Sequence, residues 1–432
     1  MAKKQAGNDV VLVDGCRIPF LRSGSAYRDL MAYDLARMAL SGLLSRTGID
    51  PKLVDRVIMG TVIQEVRTSN IARDAALAAG FPNSVPATTV TLACISSNVA
   101  ITTGIEAIQS GQAEIVVAGG TEIMSDVPIR FKRAVRKRLI ASQKAKSPFD
   151  FLKLLKGLGL KDLAPEVPAV SEFSTGDVMG ESCDRLASMF SVSRQEQDAF
   201  ALRSHQLAAK ATEDGVLSQD IIPAAIPPKF ETVTQDNGFR ADSTMEKLSK
   251  LRPAFIKPHG TVTAGNASFL TDGASATLIM TEKKAKELGF EPIAYLRNYS
   301  YAAQDPKDEL LLGPAYATPK VLDAAGKSIK DIDVFELHEA FAGQVLAVLN
   351  ALNSDNFAKN NLGREKAVGE IPMDKLNNWG GSLSLGHPFG ATGARLVTMA
   401  ANRLKAEDGQ FALVAACAAG GHGHAMLIER YS

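Results

Sequence analysis

The length, composition and charge of the chain exclude several classes of protein. Its 432 residues are more than one ordinary domain needs and predict two to three compact units with large cores. Hydrophobic residues make up 46% and charged residues 22%, as in globular proteins. With 48 Lys and Arg against 47 Asp and Glu, the net charge is +1, so no overall field draws the chain to nucleic acid. We therefore expect no nucleic-acid partner.

The cysteine content and the start of the chain concern its compartment. Four cysteines, Cys16, Cys94, Cys183 and Cys417, are too few for a disulfide scaffold and predict reduced thiols. The first residues contain neither an apolar signal-peptide core nor an Arg- and Ser-rich transit stretch. Apolar runs such as residues 411–419 are too short to span a membrane. We expect a cytoplasmic protein, or a mitochondrial one if a leader has been removed.

Two plans of predicted elements each occur twice along the chain. Residues 36–60 contain a helical pattern, a glycine turn and a strand-like pattern, and residues 317–342 repeat this order. Residues 94–120 predict a helix, a glycine turn, an apolar strand and two glycines, and residues 393–421 repeat that order. Buried strands that alternate with helices predict parallel sheets covered on both faces. Any α/β protein shows such alternation, but the matching order and spacing favour an internal duplication.

The repeats and a change of composition divide the chain into three parts. Residues 127–251 are richer in Pro, Lys and Ser than their flanks and predict an inserted loop domain, with helices such as the one over residues 194–211. We expect residues 1–126 and 252–285 to form the N-terminal half. Residues 286–432 would form the C-terminal half. Insertions of this kind commonly cover a substrate site.

Cys94 lies where a β-rich run, residues 88–93, meets a predicted helix. A thiol at such a turn lies near the helix N-terminus, where unpaired N–H groups and the helix dipole favour the thiolate. The same N–H groups can bind the oxyanion that forms when the sulfur attacks a carbonyl. A single cysteine is more often a small core residue, so a catalytic interpretation depends on other residues of the chain.

The densest glycine cluster of the chain, residues 378–393, contains His387 just before a predicted helix. Glycines let the backbone approach a reacting group closely, and an imidazole at this position can take the proton of a thiol. Cys417 follows a buried strand pattern and precedes a second glycine turn. Two thiols, an imidazole and two glycine turns together indicate nucleophilic catalysis much more specifically than any one of them does.

Two further loops carry candidate binding residues. His338 and Glu339 could be a pair of metal ligands, but no further ligand follows at a helical spacing, and we expect no metal site. Residues 260–268 are a run of small side chains that would let a large ligand approach, although a simple turn explains them equally well. Cys16 and Cys183 have no motif around them, and we expect both to be structural.

These motifs resemble those of the thiolase family over nearly the whole chain. The resemblance rests on residues 88–98, 260–276, 338–342, 386–393 and 417–423. Within the family it is strongest to the β subunits of trifunctional enzymes and their bacterial relatives. The resemblance implies the thiolase fold, an α/β architecture in which duplicated βαβαβ halves form a five-layer αβαβα core with an inserted loop domain.

The resemblance also implies an acetyl-CoA C-acyltransferase, namely a 3-ketoacyl-CoA thiolase of fatty-acid β-oxidation. Cys94 would attack the 3-keto carbon after activation by His387, and Cys417 would protonate the enolate leaving group and later deprotonate CoA. His338, through a water and together with His387, would form one oxyanion hole. The backbone N–H groups of Cys94 and Ala419 would form the other. Coenzyme A would be a co-substrate, and no cofactor would be bound permanently.

The resemblance further implies that Ala264 and Ser268 contact the pantetheine of CoA. The sequence departs from the common family pattern twice, because many thiolases carry Asn where His338 stands and Gly where Ala419 stands. Histidine at position 338 changes the geometry that holds the water. Alanine at position 419 keeps a backbone N–H but has less conformational freedom than glycine. A biosynthetic acetoacetyl-CoA thiolase and a non-catalytic acyl-CoA-binding protein are the alternatives, and the latter would not require both thiols.

A basic segment and the resemblance predict the partners. The stretch between Asp126 and Asp150 contains no acid and eight basic residues, namely Arg130, Lys132, Arg133, Arg136, Lys137, Arg138, Lys144 and Lys146. Apolar residues follow at helical spacing, namely Phe151, Leu154, Leu155 and Leu158. The segment from Arg130 to Lys156 would dock on an anionic membrane or a partner subunit. A solvated face and a site for the CoA phosphates are the alternatives.

The resemblance implies two assemblies. The first is a homodimer or a dimer of dimers. The second is a complex with an α subunit that carries hydratase and dehydrogenase activities. The small-molecule partners would be 3-ketoacyl-CoA and CoA.

Overall fold

The computed structural model of the protein describes residues 9–166 and 171–431, with the side chains of Phe151, Leu152 and Leu155 outside that description. The first part of the chain contains β1 (Val10–Arg17), β2 (Leu21–Arg22), α1 (Ala32–Thr47), β3 (Arg56–Gly60), α2 (Ile71–Ala79), β4 (Ala87–Val90), α3 (Ser96–Gln109) and β5 (Ile115–Glu122). The next part contains β6 (Arg130–Phe131), α4 (Arg133–Ser142), α5 (Pro148–Leu155), α6 (Leu160–Leu163), β7 (Pro165–Glu166), α7 (Met179–Met189), α8 (Arg194–Glu213), β8 (Ala224–Ile226), β9 (Glu231–Val233) and α9 (Met245–Ser249).

The last part of the chain contains β10 (Thr271–Thr281), α10 (Glu282–Glu287), β11 (Ala294–Ala303), α11 (Gly313–Ala325), β12 (Val334–Leu337), α12 (Ala342–Leu352), α13 (Asp355–Asn361), α14 (Ser382–Leu385), α15 (Thr392–Ala406), β13 (Phe411–Ala418) and β14 (His422–Arg430). In the described part of the chain, no helix combines the length and the apolar character that crossing a bilayer requires.

The long strands follow the order β12-β13-β14-β11-β1-β10-β5-β3-β4, and β2 pairs with β10. Two similar blocks meet where Val11 and Leu12 of β1 pair with Tyr295 and Ala294 of β11. In one block β3 and β5 are parallel, and β10 and β1 follow antiparallel. In the other block β12 and β13 are parallel, and β14 and β11 follow antiparallel. The internal duplication predicted from the sequence is confirmed.

Alternate residues of each strand face different helices, and this produces five layers. In β3, Val57 and Met59 pack on the side of α1 and α2, whereas Ile58 packs in a core that contains residues of α3 and α15. In β13, Leu413 packs on the side of α11 and α12, whereas Val414 packs in the same central core as Ile58. Because side chains alternate along a strand, each block of the sheet is covered on both faces. Helices α3 and α15 are the central layer.

The residues between β5 and β10 contact the loops that follow the core strands. Helix α8 is the helix expected over residues 194–211. The Asp184 carboxylate of α7 accepts a hydrogen bond from the Val262 N–H at 2.9 Å. The Ser204 hydroxyl of α8 donates to the Glu339 carboxylate at 2.7 Å. These contacts bring the predicted insert onto the loops with the candidate site residues. Its division from the two halves at residues 126, 251 and 285 stays a prediction.

Candidate active site

Cys94 lies in the turn between β4 and α3, one residue before the N-cap of the helix. Ala93 has φ +45°, a left-handed conformation that residues other than glycine rarely adopt. Such backbone strain is frequent where a side chain must be held for chemistry. Cys94 is partly exposed, whereas Cys16, Cys183 and Cys417 are buried. The turn therefore holds one accessible thiol at the start of a central helix, as the sequence predicts.

His387 lies in the loop before α15, at the position that corresponds to Cys94 in the other half of the duplication. Gly386 precedes it with φ +100°, and a Cβ there would lie 2.7 Å from the Thr271 side chain, so the turn requires glycine. The His387 N–H donates to Thr271 Oγ1 at 3.0 Å. These two features hold the buried His387 ring at the N-terminal end of the helix.

A hydroxyl fixes the tautomer of His387. Nδ1 of the ring lies 2.7 Å from Thr392 Oγ1, and this hydroxyl donates to the Pro388 carbonyl at 3.0 Å. A hydroxyl carries one hydrogen, so Thr392 accepts from the Nδ1–H of His387. Nε2 then carries no proton and has no partner among the described residues. A buried, unprotonated Nε2 is a proton acceptor.

His338 follows β12 and is completely buried. Its backbone N–H donates to the Ala415 carbonyl of β13 at 2.8 Å, which ties the loop to the sheet. Its ring lies beside that of His387, with centroids 4.0 Å apart and planes inclined at 46°. Nδ1 lies 2.9 Å from Ser382 Oγ, and Nε2 has no partner in the described chain.

The two halves bring three side chains into one cluster. The Cys94 sulfur, a ring nitrogen of His338 and a ring nitrogen of His387 all lie within 4.8 Å of one another. Nδ1 of each ring is bound to a hydroxyl, so Nε2 is the nitrogen left for the cluster. A thiolate and two imidazoles are ligand types that zinc accepts, and these residues could hold a metal ion. Unpartnered Nε2 atoms beside a thiol also suit proton transfer. The absence of a metal site stays a prediction.

The loop after β13 completes the surroundings of Cys94. Cys417 is buried, and the nearby Cys94 adds to the effect of burial in raising the pKa of the Cys417 thiol. The backbone N–H groups of Ala419 and of Cys94 itself lie near the Cys94 sulfur and lower the pKa of its thiol. Gly420 has φ +83° and takes the left-handed turn, whereas Ala419 does not. Alanine is therefore tolerated where many thiolases have glycine, because the demanding backbone conformation falls on the next residue.

Burial controls the protonation of both thiols. It raises the pKa of the Cys94 thiol to about 12, and the two N–H groups that lower the pKa do not compensate for it. Burial likewise raises the pKa of the Cys417 thiol well above its usual range. The thiolate that the strand-to-helix turn was expected to favour at Cys94 is therefore not the resting state, because desolvation outweighs the N-terminus of α3. Both residues are thiols at rest, and Cys94 needs a base.

Burial also keeps both imidazoles neutral. It lowers the pKa of His338 to about 3, and the buried Arg395 guanidinium lowers the pKa further. The pKa of His387 lies well below its usual range because of burial, His338 and Arg395, in that order. A neutral imidazole can accept a proton, whereas an imidazolium cannot. His387 is therefore ready to act as the base for Cys94.

One of the two residues expected to contact CoA lines a cavity. The cavity has a volume of about 170 Å³ and lies between the predicted insert and the small-residue loop. Ala264 lines it together with three cationic side chains, Arg22, Arg240 and Lys247. Ser268 is not among the lining residues, and its N–H donates to the Ala340 carbonyl at 2.9 Å.

The residues that hold the two imidazoles were not predicted from the sequence. Thr392 and Ser382 lie in or next to the glycine cluster, but nothing in the pattern shows which ring each hydroxyl contacts. Arg395 gives a clearer signal, since an arginine on an otherwise buried stretch of α15 needs a polar partner in the core. Arg403 follows two turns later on the same helix and is also buried. Arg395 and Arg403 are therefore two polar side chains on buried positions of α15, and each needs a partner in the core.

Comparisons with known proteins identify the family. The model described as "Thiolase, N-terminal domain" matches residues 10–283, and the model described as "Thiolase, C-terminal domain" matches residues 290–430. The chain belongs to the thiolase family. The chain is 61% identical over 431 residues to the human protein "Trifunctional enzyme subunit beta, mitochondrial", covering 100% of this chain and 90% of that protein. It is 58% identical to the Caenorhabditis elegans "Probable 3-ketoacyl-CoA thiolase", covering 100% of this chain and 96% of that protein.

A solved structure supports the same assignment. The crystal structure of human mitochondrial 3-ketoacyl-CoA thiolase in complex with CoA has a TM-score of 0.84 and 31% sequence identity to this thiolase. The match covers 98% of each chain. The family, the thiolase fold and the acyltransferase class expected from the sequence are confirmed. The expected 3-ketoacyl-CoA thiolase activity agrees with the names of these relatives.

Proposed function

We propose that this thiolase cleaves 3-ketoacyl-CoA with CoA, giving acetyl-CoA and an acyl-CoA shortened by two carbons. One observation carries the proposal: the Cys94 sulfur and ring nitrogens of two neutral, buried histidines lie within 4.8 Å of one another. A thiol, a base that takes its proton and a second imidazole that can bind the developing negative charge are suited to attack on a carbonyl by sulfur. The names of the relatives, 58% and 61% identical over the whole chain, support this substrate class.

In the first step Cys94 attacks the 3-keto carbon of the substrate. Nε2 of His387 takes the thiol proton, which leaves a sulfur nucleophile and an imidazolium. The carbonyl oxygen becomes negative and is held by the backbone N–H groups of Cys94 and Ala419, both of which lower the pKa of the Cys94 thiol. These donors act on charge that develops in the transition state.

In the second step the bond between carbons 2 and 3 breaks. The 3-keto carbon remains on Cys94 as a thioester, and acetyl-CoA leaves as an enolate. The enolate oxygen is stabilised by Nε2–H of His387, which now carries the Cys94 proton, and by His338. Cys417, protonated at rest, gives its proton to carbon 2 and completes acetyl-CoA.

In the last step CoA attacks the Cys94 thioester. The Cys417 thiolate takes the thiol proton of CoA, and the CoA sulfur adds to the acyl carbon. The oxyanion again lies between the N–H groups of Cys94 and Ala419. Expulsion of the Cys94 sulfur, with return of the proton from His387, regenerates the thiol and releases the shortened acyl-CoA.

The cavity beside Ala264 suits the phosphate-bearing part of CoA. Arg22, Arg240 and Lys247 line it together with one acid, Asp242, which pairs with Lys247 at 2.6 Å. The remaining excess of positive charge favours the negatively charged phosphates of a CoA ester. The apolar lining includes Leu383, the neighbour of the Ser382 that contacts His338. This places the cavity near the catalytic loops. CoA is thus a co-substrate that enters through the predicted insert.

The decisive assay measures CoA-dependent loss of 3-ketoacyl-CoA for a series of substrates from short to long acyl chains, and compares their kcat/KM values. Acetyl-CoA and the shortened acyl-CoA are expected in equal amounts, and the Cys94→Ala variant is the control. A preference for acetoacetyl-CoA alone, with synthesis from acetyl-CoA, would indicate the biosynthetic alternative. Tight binding without turnover in the wild type would indicate a carrier protein instead.

The proposal extends to assembly. β4 lies at the end of the strand order, and its outer edge pairs with no described strand, which suits pairing with a second copy of the chain. This edge supports the homodimer, or dimer of dimers, that the resemblance implied. The human relative is named as the beta subunit of a trifunctional enzyme, which supports a complex with a second kind of subunit, as the resemblance implied. Sedimentation of the purified chain, alone and after co-expression with such a subunit, tests both assemblies.

The basic segment from Arg130 to Lys156 supports docking on an anionic membrane. The pattern of apolar residues is only partly helical, because α5 ends at Leu155 and Leu158 lies beyond it. The side chains of Phe151 and Leu155 lie outside the described residues. Large apolar side chains in and around the segment are nevertheless exposed, namely Ile129, Phe131, Leu139, Ile140, Phe149, Leu160 and Leu163. Basic residues and exposed apolar side chains within one segment are typical of a peripheral membrane contact.

A liposome co-sedimentation experiment tests this contact at low and high salt. Changing Arg133, Arg136, Lys137 and Arg138 to Glu should abolish binding to anionic vesicles, since each basic residue near such a surface contributes about 1 kcal/mol. The matched control changes four exposed lysines outside the segment to Glu, namely Lys320, Lys330, Lys359 and Lys366. Unchanged sedimentation of the first variant, or none for the wild type, contradicts a membrane role. A higher KM for CoA would assign the charges to the substrate.

A further inference from the structure

Ser382 Oγ lies between Arg395 and His338. Nη2 of Arg395 donates to this oxygen at 2.9 Å, and Nδ1 of His338 lies 2.9 Å from it. All three side chains are buried, with at most 1% of each residue exposed. No other described residue forms a hydrogen bond with this hydroxyl. Ser382 therefore connects a buried cation to one of the two imidazoles of the active site.

The hydrogen bonds of Ser382 determine which nitrogen of His338 carries the proton. A guanidinium only donates, so Ser382 accepts from Arg395 and keeps its own hydrogen for a second partner. The one remaining acceptor in the described chain is Nδ1 of His338. Buried hydroxyl hydrogens are nearly always hydrogen-bonded, so Ser382 donates to Nδ1. In a neutral imidazole this places the ring proton on Nε2.

Arg395 is held in place by the same core. Its Nη1 lies 3.9 Å from Glu336 Oε2 and 3.8 Å from Met399 Sδ. The Glu336 carboxylate is also bound by Arg403 at 2.7 Å, so Arg395 shares its counter-charge with another cation. Arg395 is therefore held through Nη1, and its Nη2–H is left to donate to Ser382 Oγ.

From this geometry we infer that Ser382 and Arg395 are positioning residues that hold His338 as a hydrogen-bond donor, with its proton on Nε2. His387 is held in the opposite state by Thr392, with Nε2 bare. The two adjacent rings thus differ in function because two hydroxyls differ in their partners. His387 accepts the Cys94 proton, and His338 offers an N–H to the enolate oxygen without first gaining a proton.

This inference rests on the proposed thiolase reaction. It deepens the oxyanion-hole role that the sequence resemblance implied for His338, because it names the residues that fix the donor nitrogen of the ring. The unpartnered Nε2 of His338 is completely buried and belongs to the cluster with Cys94 and His387. A buried N–H without a partner is unfavourable, so the position suits an oxygen that arrives with the substrate.

The first test observes the tautomer in the full-length wild-type enzyme, without substrate. Protein with ¹⁵N-labelled histidine is studied by NMR, and the His338 signals are assigned by their loss in His338→Asn. We expect a protonated Nε2 and a bare Nδ1 at His338, and the reverse at His387. A proton on Nδ1 of His338 would overturn the inference whatever the enzyme catalyses. Failure of the thiolase assay with the expected tautomer would instead overturn the proposed function.

The second test is a double-mutant cycle in the thiolysis assay. Ser382→Ala should lower kcat about tenfold with little change in KM, and in a His338→Ala background it should have no further effect, because it acts through that ring. The matched control is Ser384→Ala. It removes another buried hydroxyl of the same short helix, one that contacts Ser204 and Gly381 instead of His338. Its effect should add to that of His338→Ala and leave the His338 signals unchanged. Additive loss with Ser382→Ala would make Ser382 merely structural.

Discussion

The imidazole rings of His338 and His387 lie 4.0 Å apart, centroid to centroid, and both are buried. Two cations at this distance would repel strongly in a site of low dielectric, so the pair carries at most one extra proton. When His387 takes the proton of Cys94, the charge disfavours protonation of its neighbour. His338 then remains a neutral donor while His387 becomes a charged one, which suits the binding of a single oxyanion.

The first prediction separates the two catalytic thiols. Cys94→Ala should abolish thiolysis, because no other described thiol shares the cluster with the imidazoles. Cys417→Ala should still form an acyl group on Cys94 from acyl-CoA but should not turn over. Intact-mass and peptide mass spectrometry measure the acyl group, and Cys183→Ala controls for the loss of a buried sulfur. Acylation at Cys16 or Cys183 would contradict these assignments.

The second prediction concerns His338 itself. His338→Ala removes one oxyanion donor and should lower kcat by about 10²–10³. His338→Asn keeps an N–H donor and should recover part of the loss. Steady-state kinetics with a 3-ketoacyl-CoA measure both variants. A nearly unchanged kcat with a large rise in the KM for CoA would make His338 a binding residue.

The third prediction concerns the cationic cavity. Arg240→Ala and Lys247→Ala should each raise the KM for CoA about tenfold, the effect of losing one charge-assisted hydrogen bond. A pantetheine thioester lacks the nucleotide phosphates, and its KM should be the same in wild type and variants. If both substrates are affected alike, the cavity binds another part of the substrate or only stabilises the insert.

The fourth prediction concerns stability in acid. His424 is completely buried on β14, both ring nitrogens lack a partner in the described chain, and burial lowers its pKa to about 3. The unfolded chain binds a proton here below about pH 6.5, whereas the folded chain does not, so stability is lost as the pH falls from 6.5 towards 3. This residue alone accounts for about 2 kcal/mol at pH 5.

Thermal unfolding between pH 5 and pH 8 measures this contribution. His424→Phe should unfold at a temperature that depends less on pH than in the wild type, because the titrating ring is gone. The difference should be largest near pH 5 and should vanish above about pH 7.5. Parallel curves for the two proteins would mean that His424 gains a partner or is charged in the native state.

Much of the fold and the site follows from the sequence because each reactive residue lies in a local pattern. Cys94, His387 and Cys417 each lie next to a turn that the glycines or the strand-to-helix change make visible. The contact of Ser382 with His338 spans 44 residues of chain, and no local pattern shows it. Loop paths also decide that Ala264 reaches the cavity and Ser268 does not. The pKa of the Cys94 thiol depends on burial by both halves of the chain. The position of Cys94 before α3 predicted a lowered pKa, whereas burial raises it.

The duplication gives the two halves corresponding turns with different residues: Cys94 precedes α3, and His387 precedes α15. The nucleophile and its base are thus contributed by different repeats, and only the packing of the two central helices brings them together. Neither repeat could act by itself, even if it folded. Activity therefore depends on the packing of α3 against α15 at the interface between the repeats. A change that weakens this interface would abolish activity while the secondary structure stayed intact.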